Sequence, residues 1–171
     1  IDGWGDNYSS KLYFANNGKL NLISKTSSLD SLGYFYGSIT KLLGFKPHRH
    51  EGKILGLAAF GNYKKAYSFI SKMISYDKNN KCFKGNFEKG LYLSKFENPN
   101  IQFLKKKFNR EDIAAAAQKR IEEVILEFIS DNIKKDTRLA LAGGVFANVK
   151  INQKISELKN IKDIYIYPNM G

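Results

Sequence analysis

The chain has 171 residues, 43% hydrophobic and 13% aromatic, enough apolar material for one packed core or two small lobes, which excludes a disordered tail. Net charge is +12, yet only four of the 28 cations are arginine (Arg49, Arg110, Arg120, Arg138), which favours a solvated lysine surface over bidentate phosphate or base readout. Lone Cys82 excludes an internal disulfide, and the absence of a roughly 20-residue apolar run or signal-peptide pattern leads us to expect a soluble, cytoplasmic piece with no membrane partner.

Taken in chain order, IDGWGD at 1–6 sets carboxylates in a glycine-rich turn, where Asp2 either meets a cation or simply closes the turn. Residues 10–26 read as a hairpin turning at Asn16, Asn17 and Gly18. The spacing of Leu32, Phe35, Tyr36, Ile39 and Leu43 predicts a helix over 31–43, stopped by Gly44. His48 and His50 follow in a loop. Without a third and fourth ligand at zinc spacing they read as loop residues.

EGKILGLAAFG at 51–61 carries three glycines. Either its backbone lies against a ligand, with Glu51 and Lys53 at the edge, or Gly56, Ala58 and Ala59 are small residues at a helix crossing. A second amphipathic helix is expected over 63–76, with Ala66, Phe69, Ile70, Met73 and Ile74 on one side. Residues 77–108 read as a peripheral β-rich or loop segment, in which Cys82 has no catalytic role. From Asn109 the helical pattern returns strongly, with Asn109 as cap, Asp112 closing a capping box, and a stripe from Ile113 to Ile129.

The last third predicts a strand over 139–142, a glycine turn, a helix over 146–158 and a strand over 164–167, a βαβ unit with parallel strands. In LALAGGVFAN, Gly143 and Gly144 lie at the strand's carboxyl edge. Free N–H groups there can hold phosphate, or the glycines only permit a tight turn.

Jointly, IDGWGD at 1–6, SLGYFYGSITKLLGF at 31–45, EGKILGLAAFG at 51–61, REDIAAAAQ at 110–118, LAGGVFANVKIN at 141–152 and IYPNMG at 166–171 resemble the amino-terminal domain of the O-carbamoyltransferases of nodulation-factor and antibiotic biosynthesis. The resemblance implies an α/β fold of ribonuclease-H-like lobes, of the actin-like, sugar-kinase ATPase superfamily. It implies that carbamoyl phosphate and ATP give a carbamoyl adenylate, whose carbamoyl group passes to an acceptor hydroxyl on a sugar or natural product. By the same resemblance, Asp2 matches a ligand of a divalent metal, iron. Gly143, Gly144 and Asn148 match the nucleotide-binding turn, and Glu51, Gly52 and Lys53 line the nucleotide side of the cleft.

Members of that family carry a His-x-x-x-His metal motif upstream of the DGxG turn and a further metal aspartate after YPNMG. The 171 residues are therefore expected to be the central part of a nucleotide-binding domain, a fragment inactive alone that works with a carboxy-terminal domain of the same parent chain. Two alternatives stand beside this reading: a basic nucleic-acid-binding module, weakened by the scarcity of arginine, and a non-catalytic relative of the same fold.

Overall fold

A computed structural model describes residues 1–169; the Met170–Gly171 end of the IYPNMG block lies outside the described residues. Strands β1 (Tyr8–Asn16) and β2 (Lys19–Ser27) pair antiparallel around Asn17 and Gly18, whose φ values of 47° and 74° suit a tight hairpin turn. Only the base of this hairpin is buried. There Thr26 Oγ1 accepts from Phe83 N at 3.1 Å, while Phe14, Leu20 and Leu22 at the far end stay exposed.

Helix α1 (Leu32–Leu42) starts at Ser31, whose Oγ accepts from Tyr34 N at 3.1 Å, and stops at Gly44 with φ 82°, as the spacing predicts. Its buried residues Leu32, Phe35, Tyr36, Ile39 and Leu42 form one side of the core. Helices α2 (Glu51–Ala58) and α3 (Tyr63–Ile70) pack against the long central helix, α5 (Arg110–Asn132).

The expected helix over 63–76 is shorter than its stripe. After Ile70 the chain tightens into a turn in which Lys72 N and Met73 N donate to Phe69 O and Ile70 O, and Ile74 enters strand β3 (Ile74–Asp77). Arg120 Nε takes the Ile74 carbonyl at 2.8 Å, so Met73 and Ile74 reach the core from a turn and a strand.

Strand β3 pairs antiparallel with β4 (Cys82–Gly85). Residues 77–108, read as a peripheral strand-and-loop segment, continue through turns to the short α4 (Leu104–Lys107) and send Phe83, Tyr92, Ile101 and Leu104 into the core. Tyr92 donates its hydroxyl proton to Ser31 O at 2.8 Å, which ties this segment to the start of α1.

Helix α5 begins where expected: Asn109 Oδ1 accepts from Asp112 N at 2.9 Å. The reciprocal half of the capping box is not made, because the Asp112 carboxylate accepts from Asn62 N at 2.7 Å and pairs with Lys65 at 2.8 Å. Strands β5 (Thr137–Leu141) and β6 (Ile161–Ile166) are parallel and joined through α6 (Val149–Ser156), which completes the βαβ unit. No helix among the described residues is long and apolar enough to cross a membrane.

Candidate nucleotide cleft

The first residues are fixed between two elements. Asp2 N donates to Ser9 O at 2.8 Å, Ser31 Oγ donates to Asp2 O at 3.1 Å, and the Gly3 backbone rests on Gly33 at the head of α1. A Cβ on Gly33 would stand 2.7 Å from Gly3 Cα, so this approach requires glycine. The Asp2 carboxylate is exposed, with Oδ1 accepting from Gly3 N at 2.7 Å.

Ile1 reaches the glycine turn after β5. Its nitrogen donates to Ala142 O at 2.7 Å, and its carbonyl accepts from Val145 N at 3.3 Å. Gly143 has φ 100°, and a Cβ there would overlap the Ile1 carbonyl. Of the two readings of this turn, the tight backbone approach accounts for Gly143.

A single 3₁₀ turn spans Gly144–Ala147, and α6 starts only at Val149, later than the helix over 146–158 that the pattern predicts. The N-cap of α6 is Asn148, whose Oδ1 accepts from Ile151 N at 3.3 Å. The helix end therefore does not open directly on Gly143 and Gly144, because a 3₁₀ turn and a capping side chain lie between them.

Residues 47–50 fold back so that His48, at φ 64°, donates its N–H to Glu51 Oε1 at 2.6 Å. Glu51 thus holds its own loop at the start of α2. Gly52 and Gly56 are exposed and a Cβ on either meets nothing, so the crossing expected at Gly56 is not there. The close approach comes at Gly61, where a Cβ would overlap the Glu111 carbonyl of α5. Lys53 is exposed and sits over the Phe45 ring at 5.5 Å, away from the cleft.

These pieces enclose a cleft of about 550 Å³. Of the residues proposed from sequence, it gathers Asp2, Glu51, Gly52, Gly144 and Asn148; Gly143 supports its wall from behind and Lys53 lies outside. Sequence reasoning missed Trp4, Tyr36 and Arg49, which line it too. Trp4 and Arg49 stood in segments already singled out, and the polar hydroxyl of Tyr36 was hidden in the apolar stripe of α1.

A hydrogen-bond network lies beneath the cleft. Tyr36 donates to Gln118 Oε1 at 2.7 Å, Asn148 Nδ2 donates to the same oxygen at 2.8 Å, and Gln118 Nε2 donates to Glu122 at 2.7 Å. Gln118 is 5% exposed, and its one sequence signal is a polar residue directly after four alanines on the buried face of α5. Burial, followed by the nearby Glu122 and Glu51 charges, pushes the Tyr36 hydroxyl far above its ordinary value, so it stays a donor. Burial also pushes the Cys82 thiol up, in line with an unreactive cysteine.

A mixed α/β chain with its cleft beyond the carboxyl end of a parallel strand has the layout of a ligand-binding α/β domain. The chain belongs to the carbamoyltransferase N-terminus family, whose profile matches residues 1–171. It is 36% identical over 177 aligned positions to the uncharacterized protein MJ1051 of Methanocaldococcus jannaschii, covering 100% of this chain and 33% of that relative. It is 25% identical to the nodulation protein NolNO of Sinorhizobium fredii, over 98% of this chain and 25% of that protein. The chain thus spans a third or less of the length of these relatives.

Proposed function

We propose that this chain is the nucleotide-handling part of a carbamoyltransferase that makes a carbamoyl adenylate from carbamoyl phosphate and ATP and transfers the carbamoyl group to an acceptor hydroxyl. The observation that carries the reading is the cleft itself. Six stretches far apart in sequence converge on it, in a chain that the family profile matches from end to end. Water first cleaves carbamoyl phosphate, so that inorganic phosphate leaves and carbamate forms; a carbamate oxygen then bonds to the α-phosphorus of ATP as pyrophosphate leaves; last, the acceptor oxygen takes the carbamoyl carbon, AMP leaves and the hydroxyl proton is lost.

The residues present suit a nucleotide. The cleft volume lies within the range of about 300–1,000 Å³ usual for small-molecule sites. Trp4 and Tyr36 offer apolar ring surface, Arg49 offers a cation for phosphate, and the exposed Gly52 backbone leaves room for close approach. We assign this domain to the actin-like, sugar-kinase ATPase superfamily, with a carboxy-terminal domain of the parent chain as its partner.

The described residues do not by themselves make a metal site, since no three His, Cys, Asp or Glu side chains converge. Asp2 would supply one ligand to a divalent ion such as iron, which would neutralise phosphate charge during transfer.

The test uses the full-length parent protein. Pyrophosphate is expected from ATP only when carbamoyl phosphate is present; release without carbamoyl phosphate, or no release at all, would sink the proposal.

A further inference from the structure

The Gln118 amide uses every hydrogen-bonding position it has. Its Oε1 accepts from Tyr36 at 2.7 Å and from Asn148 Nδ2 at 2.8 Å, while its Nε2 donates to Glu122 at 2.7 Å and to Asn148 Oδ1 at 3.3 Å. A primary amide has two donor hydrogens and two acceptor lone pairs, so Gln118 keeps nothing with which to bind a ligand. It is buried and does not line the cleft, and it can act there only through a neighbour.

That neighbour is Asn148, and the two amides face each other through a reciprocal pair of bonds. The sense of the pair is forced from both ends. The Ile151 N–H can only donate, so the Asn148 atom it meets at 3.3 Å is Oδ1, which turns Nδ2 toward Gln118. The Glu122 carboxylate offers acceptors, so the Gln118 atom bonded to it is Nε2, which leaves Oε1 for Asn148. Both lone pairs of Asn148 Oδ1 are thereby taken. One Nδ2 hydrogen has no acceptor among the described residues, on a side chain that lines the cleft.

We infer that Gln118 is a positioning residue, which holds the Asn148 amide as a fixed N–H donor for an acceptor oxygen of the ligand; resting on the nucleotide reading, that ligand is ATP. A free asparagine side chain loses rotamer freedom when it grips a ligand. One already held by two neighbours loses little, so the order supplied by Gln118 is read out as ligand affinity. A residue that merely fills the core has no such link to Asn148.

A double-mutant cycle on the ATP Kd of the full-length parent, by isothermal titration, tests this. Gln118→Met keeps the side-chain length and removes the amide, whereas Asn148→Ser keeps a capping oxygen for α6 and removes the N–H donor. Each is expected to weaken ATP binding at least about fivefold, and the double variant to lie within about twofold of Asn148→Ser, because without the Asn148 amide Gln118 has nothing to position. If Gln118→Met does not fold, Gln118→Asn, one methylene too short to span to Asn148, takes its place in the cycle. Losses that multiply in the double variant, or an unchanged Kd in either single variant, would overturn the positioning role and leave the nucleotide reading standing. A wild-type parent that binds no ATP would overturn the nucleotide reading, and this role with it.

Discussion

Gly143 and Gly52 look alike in the sequence, each a glycine in a segment where a ligand was expected, yet their surroundings call for opposite outcomes. Gly143 combines φ 100° with an Ile1 carbonyl where a Cβ would go, so Gly143→Ala is expected to destabilise the protein by about 1–3 kcal/mol in urea titrations. Gly52 lies in α2 with open space around it, so Gly52→Ala is expected to add about 0.5–1 kcal/mol through better helix propensity. Because Gly52 lines the cleft, the same variant is expected to bind ATP more weakly in the parent protein. Unchanged ATP affinity would mean that Gly52 is not there for ligand approach. Lys53 illustrates a limit of spacing arguments: it is two residues from Glu51, but on a helix that offset turns it toward Phe45 and away from the cleft.

At the scale of elements, Asp112 links two helices through its charge. The Lys65 ammonium bonded to it, aided by Asn62 N–H, holds its carboxyl below the ordinary aspartate value of 3.8. A carboxyl depressed in the folded state contributes its stability in full above the unfolded value and loses it as pH falls through the folded one. Part of the wild-type stability should therefore disappear as pH drops below about 3.8, and Asp112→Asn should flatten that slope in urea midpoints measured from pH 3 to 7. An identical slope in the variant would place the acid sensitivity elsewhere.

Most elements were legible because local chemistry agreed with the final fold. Asn109 caps the helix it announces, Gly44 stops α1, and Asn17 with Gly18 makes the hairpin turn. The misjudged elements are those decided by tertiary contacts. The stripe through Met73 and Ile74 continues past the helix because both residues are buried anyway, although the chain leaves α3 in a turn after Ile70 and Ile74 pairs with Gly85 of β4. Asp112 likewise fits a capping box in sequence, but a neighbouring helix takes its carboxylate. Much of the cleft could be read from its glycines and acids, whereas Phe96 could not, since it lies in the segment read as peripheral and reaches the cleft only once the fold is formed.

For the whole molecule, the cleft floor is where distant parts of the chain are locked together. Gln118 of α5 accepts from Tyr36 of α1, 82 positions earlier, and from Asn148, 30 positions later. Two donors converge on one amide oxygen, so losing either donor alone leaves that oxygen satisfied, while losing Gln118 strands both. Tyr36→Phe is accordingly expected to cost about 1 kcal/mol, and Gln118→Ala about 1–3 kcal/mol, because buried polar groups without partners carry the larger penalty. Asn148 also caps α6, so the Gln118 variant should loosen that helix and the turn before it, and the turn lines the cleft. Hydrogen exchange should then rise at residues 144–151 in Gln118→Ala but stay near wild type in Tyr36→Phe. Equal protection in both variants would show that the floor is held by packing of the surrounding core and not by this amide.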